Sequence, residues 1–238
     1  MKLFALLNNG ARNVQTWVGE DCLLCGTESG SELLCAACAN ELPALAECCP
    51  RCALPSPGGA ICGSCLNDPR HFDGTLALWC YEFPCDRLVQ ALKYRARLAL
   101  AGFFASRLAS RSLPDVDLIL PMPLHPRRLA ERGFNQSLEI ARGLARHLGR
   151  PIAPRGVLRV RDTLPQTKLP YEERAKNVRG AFVCNLKLSG ESVAVVDDVM
   201  TTGTTLNEVA RILKRAGATR VENLVIARTV LRDITANV

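Results

Sequence analysis

Apolar residues recur along the second two-thirds of the chain in two alternating rhythms. Short continuous apolar runs predict strands at 75–82, 116–121, 155–160, 192–197 and 221–227. Between them, stripes at three- and four-residue spacing predict helices at 85–94, 99–111, 134–148, 172–178 and 204–216. Strands separated by helical segments imply crossovers and a parallel sheet, so the class is α/β with helices flanking the sheet. In such sheets ligands bind beyond the carboxyl ends of the strands. Ahead of this region, Leu3, Leu7, Ala11, Val14 and Trp17/Val18 fall on one helical stripe. They predict an amphipathic helix over 1–20, packed on the adjoining segment.

Residues 21–70 follow neither rhythm, and cysteine organises them instead. Cys22, Cys25, Cys35 and Cys38 recur as Cys49, Cys52, Cys62 and Cys65, each displaced by 27 positions. Every unit is a C-x-x-C pair, nine residues, and a second C-x-x-C pair. Two such pairs complete a tetrahedral sulfur site, which favours zinc, with an iron–sulfur centre as the lesser option. A disulfide framework needs an oxidising compartment, and Met1 to Leu7, broken by Asn8, Asn9 and Gly10, does not form an export signal. We therefore expect two structural Zn²⁺ ions in a cytoplasmic protein, one per repeat, with interleaved knuckles as the other pairing. Cys48 adjoins Cys49, but only Cys49 keeps the spacing; Cys80, Cys85 and Cys184 read as small core residues. The segment is too poor in apolar residues to fold without metal. Asn67–Asp68–Pro69 reads as a linker into a domain spanning 73–238.

The most specific stretch is VAVVDDVMTTGTTL at 193–206. It describes a buried strand, two acids, and a Thr/Gly turn that opens a helix. Thr205 and Glu208 have capping-box spacing, and Gly217 stands where a left-handed cap residue ends the helix. Backbone N–H groups and the dipole make such a helix start an anion cradle. A nucleoside-triphosphate loop would carry G-x-x-x-x-G-K-[ST], which this turn lacks. Asp197 and Asp198, just before the cradle, suit a pair of sugar hydroxyls. A ribose with a 5-phosphate satisfies both halves.

Charge adds a third clue. The chain has 238 residues, is 48% hydrophobic and carries a formal charge of +7. Residues 125–180 hold thirteen Lys/Arg against five Asp/Glu, so this block exceeds the whole surplus. A basic block suits diphosphate or nucleic acid. The strand ending at Pro121 leads into PMPLHPRRLAERGFNQS, where Arg127, Arg128 and Arg132 are candidate anion ligands, with Gly133 at a tight turn and Asn135 and Gln136 as amide partners. His125, between two prolines, reads as a packing residue. In the long polar stretch 161–182, Lys168, Arg174, Lys176 and Arg179 are placed to close over a bound diphosphate. No apolar run approaches bilayer length, so membrane insertion is not expected.

Four ordered blocks carry a family resemblance: the doubled C-x-x-C ribbon, PMPL…RRLAERGFNQ, QTKL…R…NVRGAF and VVDDVMTTGTTL. The last resembles the phosphoribosyl-diphosphate (PRPP) signature of type I phosphoribosyltransferases, and together they resemble the ComF (GntX-type) family. The resemblance implies a type I phosphoribosyltransferase-like parallel sheet with an N-terminal double zinc ribbon. By it, Asp197 and Asp198 hold the ribose hydroxyls of PRPP. Thr201, Thr202, Gly203, Thr204 and Thr205 hold its 5-phosphate. Arg127, Arg128, Arg132, Arg174 and Lys176 hold the diphosphate, with Mg²⁺. It further implies a role in uptake or use of external DNA, with single-stranded DNA and a competence helicase or ATPase as partners. Hypoxanthine-type enzymes place an Asp two residues before the loop glycine; Thr201 stands there and cannot serve as their proton acceptor. Two activities are therefore expected as alternatives: phosphoribosyl transfer with release of diphosphate, or a non-catalytic PRPP or nucleotide sensor or single-stranded-DNA adaptor. The low aromatic fraction of 5% disfavours extensive base stacking.

Overall fold

The computed structural model describes residues 21–45, 47–162 and 178–230. The expected helices at 1–20 and 172–178 lie outside the described residues, apart from Val178. The chain forms two compact units, one ending at Leu42 and the other beginning at Pro43.

Both cysteine repeats fold alike, down to the individual hydrogen bond. Cys22 N–H donates to the Thr27 carbonyl and Gly26 N–H to that of Cys22; 27 residues on, Cys49 donates to Leu54 and Ala53 to Cys49. A short helix follows the third cysteine in each: α1 over Ala36–Asn40 and α2 over Gly63–Asn67. The turn needs a left-handed residue after the C-x-x-C pair, supplied by Gly26 at φ +73° and by Ala53 at φ +55°.

The second unit is built on strands β1 (Gly74–Cys80), β2 (Leu118–Pro121), β5 (Ser192–Met200) and β6 (Arg220–Arg228). They form one sheet in the order β1-β6-β5-β2, every pair parallel. Val193 to Val196 on β5 are wholly buried, which is why that strand reads as an unbroken apolar run. Helices α3 (Cys85–Arg95), α4 (Ala99–Ala109), α5 (Pro126–Arg132), α6 (Gln136–Leu148) and α7 (Thr204–Arg215) accompany the sheet. At Gly143 an added Cβ would lie 2.6 Å from the Ala105 Cβ, so the glycine allows α6 to approach α4.

Three expectations change. The 155–160 run is not a sheet strand: β3 (Val157–Arg159) pairs antiparallel with β4 (Phe182–Cys184) in a separate two-stranded ribbon. Only Val157 of its three residues is buried, so the run is too short and too exposed for the central sheet. Pro126–Arg132, which lies outside the expected helices, is helical: Pro126 occupies the first helical position, His125 caps it and Gly133, at φ +81°, closes it. The next helix consequently starts at Gln136 with Asn135 as its cap. Finally, α7 begins at Thr204 with Gly203 as N-cap, so the Thr205–Glu208 capping box does not form. Glu208 turns instead to Arg211 (2.7 and 2.8 Å) and accepts from Gly180 N–H at 2.9 Å. The Gly217 end is as expected, at φ +109°, and an added Cβ there would strike the Leu188 carbonyl.

Candidate functional site

In each cysteine quartet all four sulfurs lie within 4.8 Å of one another, Cys22, Cys25, Cys35 and Cys38 in one, Cys49, Cys52, Cys62 and Cys65 in the other. Tetrahedral zinc with sulfurs at about 2.3 Å requires S···S separations of about 3.8 Å. The Cys25–Cys35 and Cys52–Cys62 separations are 3.7 and 3.6 Å. Burial opposes thiolate formation at Cys22 and Cys49, but backbone N–H groups aimed at the sulfurs outweigh it and lower their pKa values to about 6 and about 7. Cys38, by contrast, is raised by the Cys25 thiol, and Cys52 and Cys65 by burial, so it is the convergence of four sulfurs in each quartet that fits zinc, one ion per repeat, and the interleaved pairing is not adopted. Cys48 stays outside, its thiol pushed up by burial and by Cys49.

The two acids sit near the carboxyl end of β5, and the strand continues through them to Met200. Asp197 Oδ1 accepts from Ser137 Oγ at 3.0 Å and from Asp198 N–H at 2.9 Å. Burial, then the neighbouring Asp198 charge, push the Asp197 carboxyl up to about 7. Asp198 Oδ1 lies 3.0 Å from the Lys93 ammonium on α3. Its Oδ2 is buried with no hydrogen-bond partner among the described residues. A buried carboxylate oxygen left without a donor is costly, so this atom is poised for a donor brought by a ligand.

Beyond the acids the chain turns at Gly203, φ +77°, into α7. Thr202 and Thr204 share a hydroxyl contact at 2.7 Å that closes the turn, and Thr204 N–H is directed at Thr202 Oγ1 from 3.4 Å. Among the described residues nothing accepts from the N–H groups of Thr202 and Gly203. Two unfilled donors at a helix start form an anion cradle.

Beside Lys93 lies a cleft of about 450 Å³ lined by Lys93, Tyr94, Arg128, Glu131, Arg132 and Phe134. The Arg132 guanidinium stacks 5.5 Å from the Tyr94 ring and donates to Gln136 at 2.6 Å. Arg127 is not part of this lining; it is exposed and pairs with Glu131 and Asp162. His125 accepts from Arg127 N–H through Nδ1, a structural cap in keeping with the packing role expected of it. Arg159 is depressed by burial and by Arg128, while Asp197 acts on it the other way. Lys168, Arg174 and Lys176 lie outside the described residues. Arg179 is described, and its carbonyl accepts from Arg161 at 2.9 Å.

Sequence reasoning missed Lys93, Ser137 and Arg228. Lys93 had a legible signal: it follows Val89 by four residues and adjoins Leu92, so it falls on the buried stripe of α3. Ser137 and Arg228 carry no local signal, since their partners stand 60 and 176 residues away.

Residues 135–231 match the phosphoribosyl transferase domain family, and residues 16–66 match the double zinc ribbon domain family. The "DNA utilization protein YhgH" of Salmonella typhi is 35% identical over 205 residues, 82% of this chain and 90% of that protein. "Competence protein F" of Haemophilus influenzae is 30% identical, covering 87% and 90% of the two chains. A glutamine PRPP amidotransferase from B. subtilis matches over 58% of this chain and 30% of its own, at 21% identity and TM-score 0.41. No helix among the described residues is long and apolar enough to cross a membrane.

Proposed function

Since the chain belongs to the ComF family, which joins a double zinc ribbon to a phosphoribosyltransferase-like domain, we propose that it binds PRPP and transfers the phosphoribosyl group in the service of DNA uptake or use. Asp198 Oδ2, together with Asp197, accepts the ribose 2- and 3-hydroxyls. The Thr201–Thr205 turn takes the 5-phosphate on its open N–H groups. Lys93, Arg128 and Arg132 draw the diphosphate into their cleft, joined by Arg174 and Lys176. Arg127 is held by Glu131 and Asp162 and contributes only to the surrounding positive field. Mg²⁺ brought with PRPP would depend on the ligand's own oxygens rather than on a protein cage and would neutralise leaving-group charge.

In the transfer, the bond from the anomeric carbon to the diphosphate oxygen breaks and its electron pair leaves with diphosphate. A lone pair on the acceptor forms the new bond at the same carbon. The chain's contribution is to fix the ribose and to stabilise the departing charge through preplaced cations.

The observation that carries this reading is the buried Asp198 Oδ2, without a hydrogen-bond partner among the described residues, shortly before an open anion cradle. Calorimetry with PRPP and Mg²⁺ tests it. Saturable heat in the wild type, lost in Asp198→Asn, supports the reading, and heat-silent mixing of the wild type overturns it. Release of diphosphate from labelled PRPP across a panel of acceptors separates an enzyme from a sensor.

A second reading rests on a groove of about 690 Å³ lined by Arg142, Arg155 and Arg159 together with Phe134, Leu138 and Leu158. Cations beside apolar walls suit the alternating phosphates and bases of single-stranded DNA. A fluorescence titration at two salt concentrations decides, because phosphate contacts weaken steeply with salt. Absence of binding at low salt removes this reading.

A further inference from the structure

The second cysteine quartet belongs to the same unit as the sheet, and its sulfurs are part of that unit's core. Cys49, Cys52 and Cys65 are buried in one apolar cluster with Phe72, Met200 and Leu206. In the first repeat the residue matching Cys52 is Cys25, which is exposed. The two zinc sites therefore have the same sequence pattern but different surroundings.

One side chain spans the distance from the second knuckle to the phosphate turn. Arg228, the last residue of β6, is 3% exposed and stands in register with Met200 at the end of β5. Its Nε donates to the Cys52 carbonyl at 2.8 Å. Its Nη1 donates to the carbonyls of Met200 at 3.0 Å, Thr229 at 2.7 Å and Thr201. Met200 and Thr201 are the residues that lead directly into the Thr202–Gly203 turn. Met200 and Thr201, where the chain leaves the sheet, border a small cavity of about 180 Å³ with Cys52, Phe72, Thr202 and Arg228, and Arg228 donates to their carbonyls. They need buried donors, and a forked guanidinium supplies them from one rigid plane.

We infer that Arg228 is a positioning residue for the phosphate turn and that it makes the turn's geometry depend on zinc in the second ribbon. The inference rests on reading that turn as the 5-phosphate site. Zinc at Cys49, Cys52, Cys62 and Cys65 fixes the knuckle whose Cys52 carbonyl holds one edge of the guanidinium. The other edge holds the carbonyls that set the direction of the turn's N–H groups. Loss of the ion frees the knuckle, shifts the Cys52 acceptor and leaves a buried cation to re-pair by moving the turn. A preorganised anion site then becomes one that must be ordered on binding. The first ribbon supplies none of these four carbonyl acceptors.

Amide hydrogen exchange at Thr229 and Asn207, whose N–H groups donate to the Met200 and Gly203 carbonyls beside the turn at 2.9 and 2.8 Å, is read without ligand and tests the coupling in the full zinc-loaded chain. Cys62→Ser removes the second zinc, and Cys35→Ser, which removes the first, is the control for metal loss itself. The expected result is exchange at these two amides about tenfold faster in Cys62→Ser and within about twofold of wild type in Cys35→Ser, with PRPP affinity following the same order. Wild-type exchange in a folded Cys62→Ser chain that has lost one zinc overturns the inference. Should Cys62→Ser fail to fold, Arg228→Lys decides. This variant keeps charge and both zincs but not the fork, and wild-type exchange in it overturns the inference equally. Failure of the wild type to bind PRPP removes the proposed function while leaving the exchange comparison to decide the coupling.

Discussion

The Lys93 ammonium lies 3.0 Å from Asp198 Oδ1, with 18% and 6% of the two side chains exposed. Burial works against the ammonium, yet Asp198 beside it, with Asp197 behind, holds it above its ordinary pKa. Helix α3 thus supplies the counter-charge for the end of strand β5. Removing either partner alone leaves an uncompensated buried charge.

Lys93→Met is accordingly expected to cost about 3 kcal/mol of stability. Lys93→Met/Asp198→Asn should recover most of that loss, because two neutral groups then face one another. PRPP binding should be lost in both: Lys93→Met lacks the diphosphate cation, and the double variant lacks the ribose acceptor as well. Chemical denaturation of the single and double variants checks the first half and calorimetry the second. A single variant as stable as wild type would show that the pair is screened by water.

Asp197 predicts a dependence on pH. Its carboxyl is raised to about 7 by burial and by Asp198, so the folded protein holds a proton that the unfolded chain releases near pH 4. The folded state binds more protons over that interval, and stability falls as pH rises from about 4 to about 7. Asp197→Asn keeps an oxygen for Ser137 and for the Asp198 N–H but cannot ionise. It should flatten this slope and add about 1 kcal/mol at pH 8, at the expense of PRPP binding. Thermal melts of wild type and variant at pH 5 and pH 8 measure the difference.

The parts legible beforehand share one physical basis: each is written in a short stretch of chain. Strand β5 is buried on both faces and so is uniformly apolar through Val193–Val196. The quartets repeat at 27 residues because one knuckle geometry is used twice. The parts that were missed depend on partners far away. Arg228 reads as an ordinary strand-end cation until the fold brings Cys52 to it across 176 residues. The β3–β4 ribbon looked like a sheet strand because three residues carry too little periodicity to distinguish the two. Helix α5 was hidden by charge: a helix start rich in arginine opposes the dipole, and only its cap and the proline at its first position favour it.

Gly203 is the residue on which the phosphate turn pivots. Its φ of +77° is one that side chains disfavour, and an added Cβ would sit 2.5 Å from the Met200 Cε. Gly203→Ala should therefore cost about 1–2 kcal/mol of stability through backbone strain. Its effect on anion binding should be larger, because the Gly203 N–H is one of the open donors. Competition of PRPP with ribose 5-phosphate, which shares only the sugar and that phosphate, isolates the turn from the diphosphate cleft. A variant that loses affinity for both ligands equally places the damage at the turn.

Cys48 and Cys49 give a test of the metal assignment that does not depend on the phosphoribosyl chemistry. Both are thiols in adjacent positions, and composition alone cannot rank them. Their surroundings differ: the Cys49 sulfur receives the Cys62 N–H at 3.4 Å and is held down to about 7, whereas burial pushes the Cys48 thiol up. Geometry decides between them: the Cys49 sulfur lies within 4.8 Å of those of Cys52, Cys62 and Cys65, and Cys48 is not part of that group. Cys48→Ser should retain two zinc ions per chain and a melting temperature close to wild type. Cys49→Ser should retain one and melt markedly lower, because its sulfur is also wholly buried in the sheet unit's core. Elemental analysis of the purified variants counts the ions directly, and loss of zinc from Cys48→Ser would reassign the ligand.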